Sequence, residues 1–196
     1  MKRSNNLPSD YTQVRRKNRA VQDPAWIRGF LHNAPYGTIA TVWEDQPFLK
    51  PSLFAYDEDE NVIYLHSALE GRMRTNVETN PRICFCVSQM GRLLPATTAM
   101  EFGVEYESVV VFGQVIILEN PVEARHALQR LLDKYFPHLR PGVDYRPIIE
   151  EELNITSVYR LDIDGWSGKV DKAEPEFPGA FFFGQVPIKG DQEANR

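Results

Sequence analysis

The spacing of hydrophobic positions changes along the chain, and each change marks an element. From Asp23 the period is helical: Trp26, Ile27, Phe30 and Leu31 recur at helical spacing, and Asp23-Pro24 supplies a cap followed by a proline at the first helical position. After Pro35-Tyr36-Gly37 the pattern becomes that of strands. Thr38 to Trp43 is β-branched and apolar, Phe48 to Tyr56 follows a Gln46-Pro47 turn, and Val62 to Leu65 follows the polar hairpin loop 57–61. Gly71 to Thr79 fits a short helix closed by Asn80-Pro81, and Ile83 to Ser88 is a fourth strand. Ser108 to Leu118, with Val109-Val110-Val111-Phe112, is the strongest strand pattern in the chain. Asn120-Pro121 repeats the cap-then-proline pattern and opens a helix with Val122, Leu128, Leu131, Leu132 and Tyr135. A short helix near Ile148 to Leu153 precedes a last strand from Thr156 to Trp166, in which Tyr159, Leu161 and Ile163 alternate.

Six strands separated by polar hairpins, with helices at the start, the middle and the return connection, predict an α+β, mainly β fold. Such a pattern suits an antiparallel barrel or sandwich, not a doubly wound sheet. Met90 to Tyr106 reads as a long connection, and connections of that length are often functional. The expected organisation is a polar, basic arm over 1–22, a single domain over 23–170 and a tail over 171–196. The tail is rich in Pro and Gly, and its Phe181-Phe182-Phe183 trio is expected to pack on a partner chain or on the barrel.

Composition narrows the classes. With 196 residues and 42% hydrophobic content the chain can bury a full core without disulfides. The formal net charge of −5 argues against a general nucleic-acid binder. The cluster Arg15-Arg16-Lys17-Asn18-Arg19 has no interleaved aromatics and reads as a solvated arm or a local anion contact. No apolar run approaches the ~20 residues of a membrane helix. The start Met1-Lys2-Arg3-Ser4-Asn5-Asn6 lacks an apolar stretch behind its basic residues, so a cytoplasmic protein is expected. Cys84 and Cys86 share a strand face, which is neither a C-x-x-C redox motif nor a zinc pair, and they read as small packed hydrophobes.

Candidate chemistry concentrates between Tyr64 and Asn76. Here a strand end, a glycine and two arginines surround a helix start, whose free N–H groups and positive dipole end form an anion site suited to phosphate. Arg72 and Arg74 can add charge-assisted bonds. Residues two apart face different ways on a helix, so both reach one phosphate only if Arg72 still lies in the loop; the alternative is that both are solvated helix charges. His66 is either a structural hydrogen-bonder or a proton-moving group near pH 7. Ser67 suits a local bond to the backbone. His32, His126 and His138 are scattered and take no role. No G-x-S-x-G elbow, Walker loop or H-E-x-x-H is present.

Three segments together resemble the FMN-binding split barrels related to pyridoxamine 5′-phosphate oxidase, and more narrowly the 5-nitroimidazole reductases, or Nim-type resistance proteins. They are His66-Ser67-Ala68-Leu69-Glu70-Gly71-Arg72-Met73-Arg74 with Asn80-Pro81-Arg82-Ile83-Cys84-Phe85 behind it, Tyr106-Glu107-Ser108-Val109-Val110-Val111-Phe112-Gly113, and Trp166-Ser167-Gly168-Lys169. Arg16-Lys17-Asn18-Arg19, followed by Trp26-Ile27-Arg28, is similar to the same branch. The resemblance implies a six-stranded Greek-key split barrel with flanking helices, working as a homodimer with two FMN molecules in clefts between the chains. It places the phosphate at Gly71, Arg72 and Arg74. The oxidases themselves carry Arg-Lys there, whereas this chain has Arg72-Met73, so Arg74 substitutes and the Nim-like branch fits better than oxidation of the vitamin. Phe48-Leu49-Lys50-Pro51-Ser52-Leu53 matches the strand along the flavin, with Lys50, Pro51, Ser52 and Leu53 as cofactor-binding candidates, Ser108 a polar contact to the cofactor, and Trp166 and Lys169 the last strand near the cleft. His66 falls beside the flavin ring. Ser52, Ser67 and Ser108 would meet the ribityl hydroxyls, and Leu53, Tyr64 and Trp166 the ring.

The expected activity is therefore an FMN-dependent reduction of a small nitroaromatic or related compound, with His66 orienting the substrate or supplying a proton. No G-x-G-x-x-G nicotinamide fingerprint is present, which leaves the electron donor open. The rival readings are a module that stores or senses FMN without turnover, and a haem-binding barrel with His66 as the ligand. The fold hosts all three.

Overall fold

The proline-led caps set the two long helices. In the computed structural model, which describes residues 11–185, the Asp23 carboxylate accepts the Ala25 N–H at 2.9 Å and opens α1 (Pro24–Asn33). Two shorter helices are α2 (Arg72–Thr79) and α4 (Glu150–Leu153). Between them, Asn120 accepts the Val122 N–H at 2.8 Å and opens α3 (Pro121–Tyr135). The start from Met1 to Asn6 and the chain beyond Gln185 lie outside the described residues.

Among the described residues eight strands, not six, form one antiparallel sheet. They are β1 (Ala20–Val21), β2 (Gly37–Trp43), β3 (Gln46–Ser52), β4 (Ala55–Asp57), β5 (Val62–Ala68), β6 (Arg82–Leu94), β7 (Gly103–Ile117) and β8 (Thr156–Asp171). Their order is β3-β2-β6-β7-β8-β5-β4, with β1 added on β8. Ile39, Ile63, Leu65, Phe85, Val111, Tyr159 and Leu161 are all fully buried in one cluster. Those residues come from five strands that are neighbours in the sheet, β2, β6, β7, β8 and β5, so one face of the sheet supplies the core, as in a split barrel. One row of opposed residues crosses five strands: Lys50, Ile39, Phe85, Val111, Trp166.

The strand count differs for two reasons. The expected strand from Phe48 to Tyr56 breaks at Leu53-Phe54, because the Tyr135 hydroxyl of α3 takes over the Phe54 backbone: it accepts the Phe54 N–H at 3.1 Å and lies 3.2 Å from the Phe54 carbonyl. The other addition is β1, which is too short to show a period. The expected long connection from Met90 to Tyr106 is also corrected. β6 and β7 run on as a ribbon, with Met90 opposite Tyr106 and Leu94 opposite Gly103. A partly buried ion pair holds it, Arg92 Nη2 lying 2.7 Å from Glu105 Oε1. Gly91 makes room for that pair, since a Cβ there would stand 2.8 Å from Glu105 Cβ.

Both ends of the described chain lie on this framework. Tyr11 meets Phe112 edge-on at 5.0 Å, and Arg19 is paired with Asp171 at 2.7 Å, so the basic cluster makes a local anion contact. At the other end Phe181 pairs with Leu93 through both backbone groups, while Phe182 and Phe183 project outward. α3 covers the outer face of β5 and β8, burying Ala124 and Ala127 against Val62, Tyr64 and Val158.

Candidate functional site

Strand alternation on β3 decides which of its residues can serve a site. Phe48, Lys50 and Ser52 are half-buried on one face, while Leu49 and Pro51 are exposed on the other. The half-buried face passes the first turn of α2. The Arg72 guanidinium carbon stands 5.0 Å from the centre of the Phe48 ring, and Lys50 Nζ is 3.8 Å from Met73 Sδ. Gly71 precedes the helix with φ 148°, an angle that other residues reach only under strain, and no side chain caps the α2 N–H groups. Among the described residues neither Lys50 nor Arg72 has a carboxylate partner. Burial lowers the pKa of the Lys50 ammonium. Two uncompensated cations beside an uncapped helix start make a concentrated positive field that a phosphate ester can neutralise.

Arg72 and Arg74 are not equivalent. Arg72 is the first residue of α2 and not part of the loop, so the condition for both to grip one phosphate is not met. Arg74 turns away, with Nε on Glu78 at 2.7 Å and Nη1 donating to Ser157 Oγ at 2.9 Å. Ser157 Oγ in turn reaches the Leu69 carbonyl at 3.2 Å. Arg74 thus braces the loop before α2 against β8. Ser67 lies in the same brace, its hydroxyl 2.8 Å from Tyr159 Oη and 2.9 Å from the Ala68 carbonyl, while Ser52 Oγ donates to the Leu53 carbonyl at 3.0 Å. Tyr64, expected near a ring slot, is instead buried under α3 with its hydroxyl donating to Glu60 at 3.1 Å.

His66 faces outward near the end of β5, opposite Val158. Burial first, and the charge of Lys50 second, hold its imidazole below the ordinary value. Both effects favour the neutral ring. It walls an apolar groove of about 380 Å³, with Leu53 on the rim.

Ser108, Trp166 and Lys169 are not brought to α2. Trp166 is separated from Lys50 by four strand spacings, roughly 19 Å along the sheet. It lines a separate cleft of about 410 Å³ shared with Lys17, Val21 and Ile27. Ser108 opposes Lys169. Lys169 Nζ stands 5.2 Å and the Arg19 guanidinium 6.0 Å from the centre of the Tyr106 ring. Burial raises the Tyr106 phenol, but Arg19 and Lys169 outweigh it and leave the group below its usual pKa. Phe48 lies on the strand that the resemblance sets along the flavin and Tyr106 opens the second resembling segment, but the sequence gives neither side chain a role of its own. Cys84 and Cys86 sit half-buried on β6 as free thiols, pushed up by burial.

A family model described as pyridoxamine 5′-phosphate oxidase matches residues 23–170. Among solved structures the flavocytochrome Anf3 from Azotobacter vinelandii superposes with a TM-score of 0.72 at 24% identity, over 92% of this chain and 88% of that one. The FAD and heme binding protein from Mycobacterium smegmatis gives 0.71 at 19% identity, over 91% and 80%. A candidate 5-nitroimidazole antibiotic resistance protein from Bacteroides thetaiotaomicron gives 0.64 at 23% identity, over 77% and 86%. Among curated proteins none matches the sequence significantly. Among the described residues no helix is long and apolar enough to cross a membrane.

Proposed function

The chain belongs to the pyridoxamine 5′-phosphate oxidase family of flavin-binding proteins, and from that premise we propose that it holds FMN and passes electrons from the reduced flavin to a small nitroaromatic or related acceptor. The observation that carries the reading is the pair of uncompensated cations, Lys50 and Arg72, at the uncapped start of α2. In a chain with formal net charge −5 such a pair calls for an anion. The residues fit a flavin mononucleotide phosphate: the α2 N–H groups and Arg72 take its oxygens, and Lys50 supports them from β3. Flavin, when bound, supplies the electron transfer. The protein's part is to hold the phosphate, exclude water with the apolar residues around His66, and present a neutral imidazole that donates or accepts one hydrogen bond at the acceptor. Within one chain Trp166 lines a cleft separate from the start of α2, and Lys169 and Ser108 face each other across β7 and β8. The reading therefore includes a homodimer in which a second chain presents that end of the sheet to the cradle.

The test is a titration of flavin-free protein with FMN and with riboflavin, followed by anaerobic reduction and addition of a 5-nitroimidazole. FMN is expected to bind at least tenfold tighter than riboflavin, and the reduced protein to reoxidise on meeting the nitro compound. Equal affinity for the two flavins would remove the phosphate cradle, and a reduced flavin that no acceptor reoxidises would leave only a flavin-holding module.

A further inference from the structure

The two faces of β8 serve different ends. Alternation puts Trp166 and Gly168 on one face and Lys169 on the other. The Trp166 ring packs against the barrel core, while Lys169 reaches the Tyr106 ring. The face that a second chain's cradle meets carries Lys169 and Ser108, which leaves the Trp166 side without an assigned ligand. On that side the segment from Thr12 to Gln22 runs beside β8 and α1, and the three bound a cleft of about 410 Å³. β1 fixes the segment there, with Val21 opposite Gly168 and Ala20 opposite Lys169. Two glycines allow the approach. A Cβ on Gly168 would stand 2.9 Å from Val21 Cβ and 3.3 Å from Ile27 Cγ1, and one on Gly165 would stand 3.1 Å from Thr12 Cγ2. Val21, Ile27 and Trp166 give the cleft an apolar wall, and Gln13, Lys17 and Gln22, all exposed, give it a polar one. Of the four cations between Arg15 and Arg19, only Arg19 has a carboxylate partner among the described residues, Asp171 at 2.7 Å. Arg15, Arg16 and Lys17 thus make the mouth of the cleft positive. The basic cluster has no aromatic residue of its own, but the fold sets one beside it by bringing Trp166 to Lys17.

We propose that the cleft between the N-terminal segment and β8 binds a nucleoside monophosphate, its ring against Trp166 and its phosphate at Lys17. The volume is that of a small-molecule site. An indole offers a heterocycle a flat apolar surface. The amides of Gln13 and Gln22 have no hydrogen-bond partner among the described residues, and each carries the donors and the acceptor that the edge of a base or a ribose can use. Charge and polarity exclude the alternatives. A cationic ligand meets three uncompensated cations at the mouth. A neutral ring leaves them unanswered. A hydrocarbon carboxylate brings one negative charge and leaves both amides idle, whereas a phosphate dianion on a heterocycle engages both sets. The site is separate from the cradle at α2, so this inference does not rest on the proposed function.

Calorimetry on the flavin-loaded protein tests it, with AMP, adenosine and inorganic phosphate as probes. AMP is expected to bind one per chain with the flavin retained, at least tenfold tighter than adenosine or phosphate, and to weaken as salt rises. The indole signal of Trp166 should move on adding AMP, and the imidazole signals of His66 should not. Two variants at exposed positions, where folding is not at stake, probe the two halves of the site. Lys17→Ala should weaken AMP roughly fivefold or more and leave adenosine unchanged. Gln22→Trp narrows the mouth and should weaken both at least tenfold. No saturable binding, equal affinity for AMP and adenosine, an unmoved Trp166 signal, or parental AMP affinity in both variants would overturn the proposal. AMP that displaces the flavin would overturn it too, because the cleft would then be part of the flavin site. A protein that takes up no flavin yet binds AMP would sink the proposed function and leave the cleft standing.

Discussion

The ribbon end of β6–β7 and the first turn of α2 each carry an arginine, and the two are held in opposite ways. Arg92 spends its whole guanidinium: Nε and Nη2 on the Glu105 carboxylate at 2.9 and 2.7 Å, Nη1 on the Pro175 carbonyl at 2.7 Å, and Nη2 also on Glu174 at 3.0 Å. Glu105 completes the knot by accepting the Ala173 N–H at 3.0 Å. Arg72 has an aromatic ring beneath it and no acceptor among the described residues. A satisfied arginine fixes architecture, here the descent of the tail onto the sheet. One without a carboxylate partner next to an uncapped helix start is a site in waiting, because no anion among the described residues cancels its field.

The strongest way to break the contrast is to remove Arg92. Arg92→Ala leaves the Glu105 carboxylate, 8% exposed, without its cation. The melting midpoint should fall by several degrees and the segment after Asp171 should become the first site of limited proteolysis, with FMN affinity nearly unchanged. An unaltered midpoint would mean the knot is ornamental. The same pair sets an acid limb. Arg92 and two backbone N–H groups hold the Glu105 carboxyl at about 2, against an ordinary value of 4.5. The folded-state value is depressed, so the stabilisation is fully present above about 4.5 and is lost as pH falls toward 2. Glu105→Gln should flatten that part of the pH–stability curve.

Arg72→Ala makes the opposite prediction. One or two charge-assisted bonds to phosphate, at about 1.5–3 kcal/mol in all, correspond to roughly a 10- to 150-fold loss of FMN affinity. The flavin-free protein should melt where the parent does, since nothing in the fold depends on that guanidinium. Recovery of flavin fluorescence on release measures the first, and calorimetry the second. A stable variant with parental FMN affinity would move the phosphate elsewhere.

Arg74 sharpens the comparison because it sits two residues from Arg72 yet behaves like Arg92. Its bonds to Glu78 and Ser157 are structural. Arg74→Ala should cost about 1 kcal/mol of stability, from one partly exposed i,i+4 pair and one hydrogen bond. It should shift FMN affinity less than threefold. A loss as large as that of Arg72→Ala would show that the helix start needs both cations.

That difference between neighbours marks the limit of what the sequence discloses. The caps at Asp23 and Asn120, the strand face of Tyr159 and Leu161, and the glycine before α2 are local patterns, and the structure repeats them. The strand break at Phe54 depends on Tyr135, 81 residues away. The fate of Arg74 depends on Ser157, 83 residues away. The β6–β7 ribbon was hidden for a related reason: a partly buried Arg92–Glu105 pair reads as polar loop until the partner across the ribbon is known. Alternation and caps report what a residue does to its own segment. Which cation is spent and which is left over depends on partners that only the closed sheet supplies.

Lys134 is a third kind of cation, with neither carboxylate nor ligand, and it carries the smallest prediction. Its ammonium lies 3.6 Å from the centre of the Phe54 ring and makes one long bond, 3.5 Å, to the Leu31 carbonyl. Burial brings its pKa down to about 8 from an ordinary value of 10.5. The folded state thus holds its proton less tightly than the unfolded chain does, so protonation of Lys134 costs stability. That cost is complete below about 8 and disappears as pH rises toward 10.5, so this group alone makes the protein more stable with rising pH across that interval. Lys134→Met keeps the length and the contact with Phe54 while removing the charge. Discounted for the group's partial contact with water, the gain at pH 7 should be about 1 kcal/mol, shrinking to nothing by pH 10. Urea denaturation of parent and variant at pH 7 and pH 10 measures the difference. A variant less stable than the parent at pH 7 would show that the ring and the Leu31 carbonyl repay the buried charge in full, and would move Lys134 from the misfit cations to the structural ones.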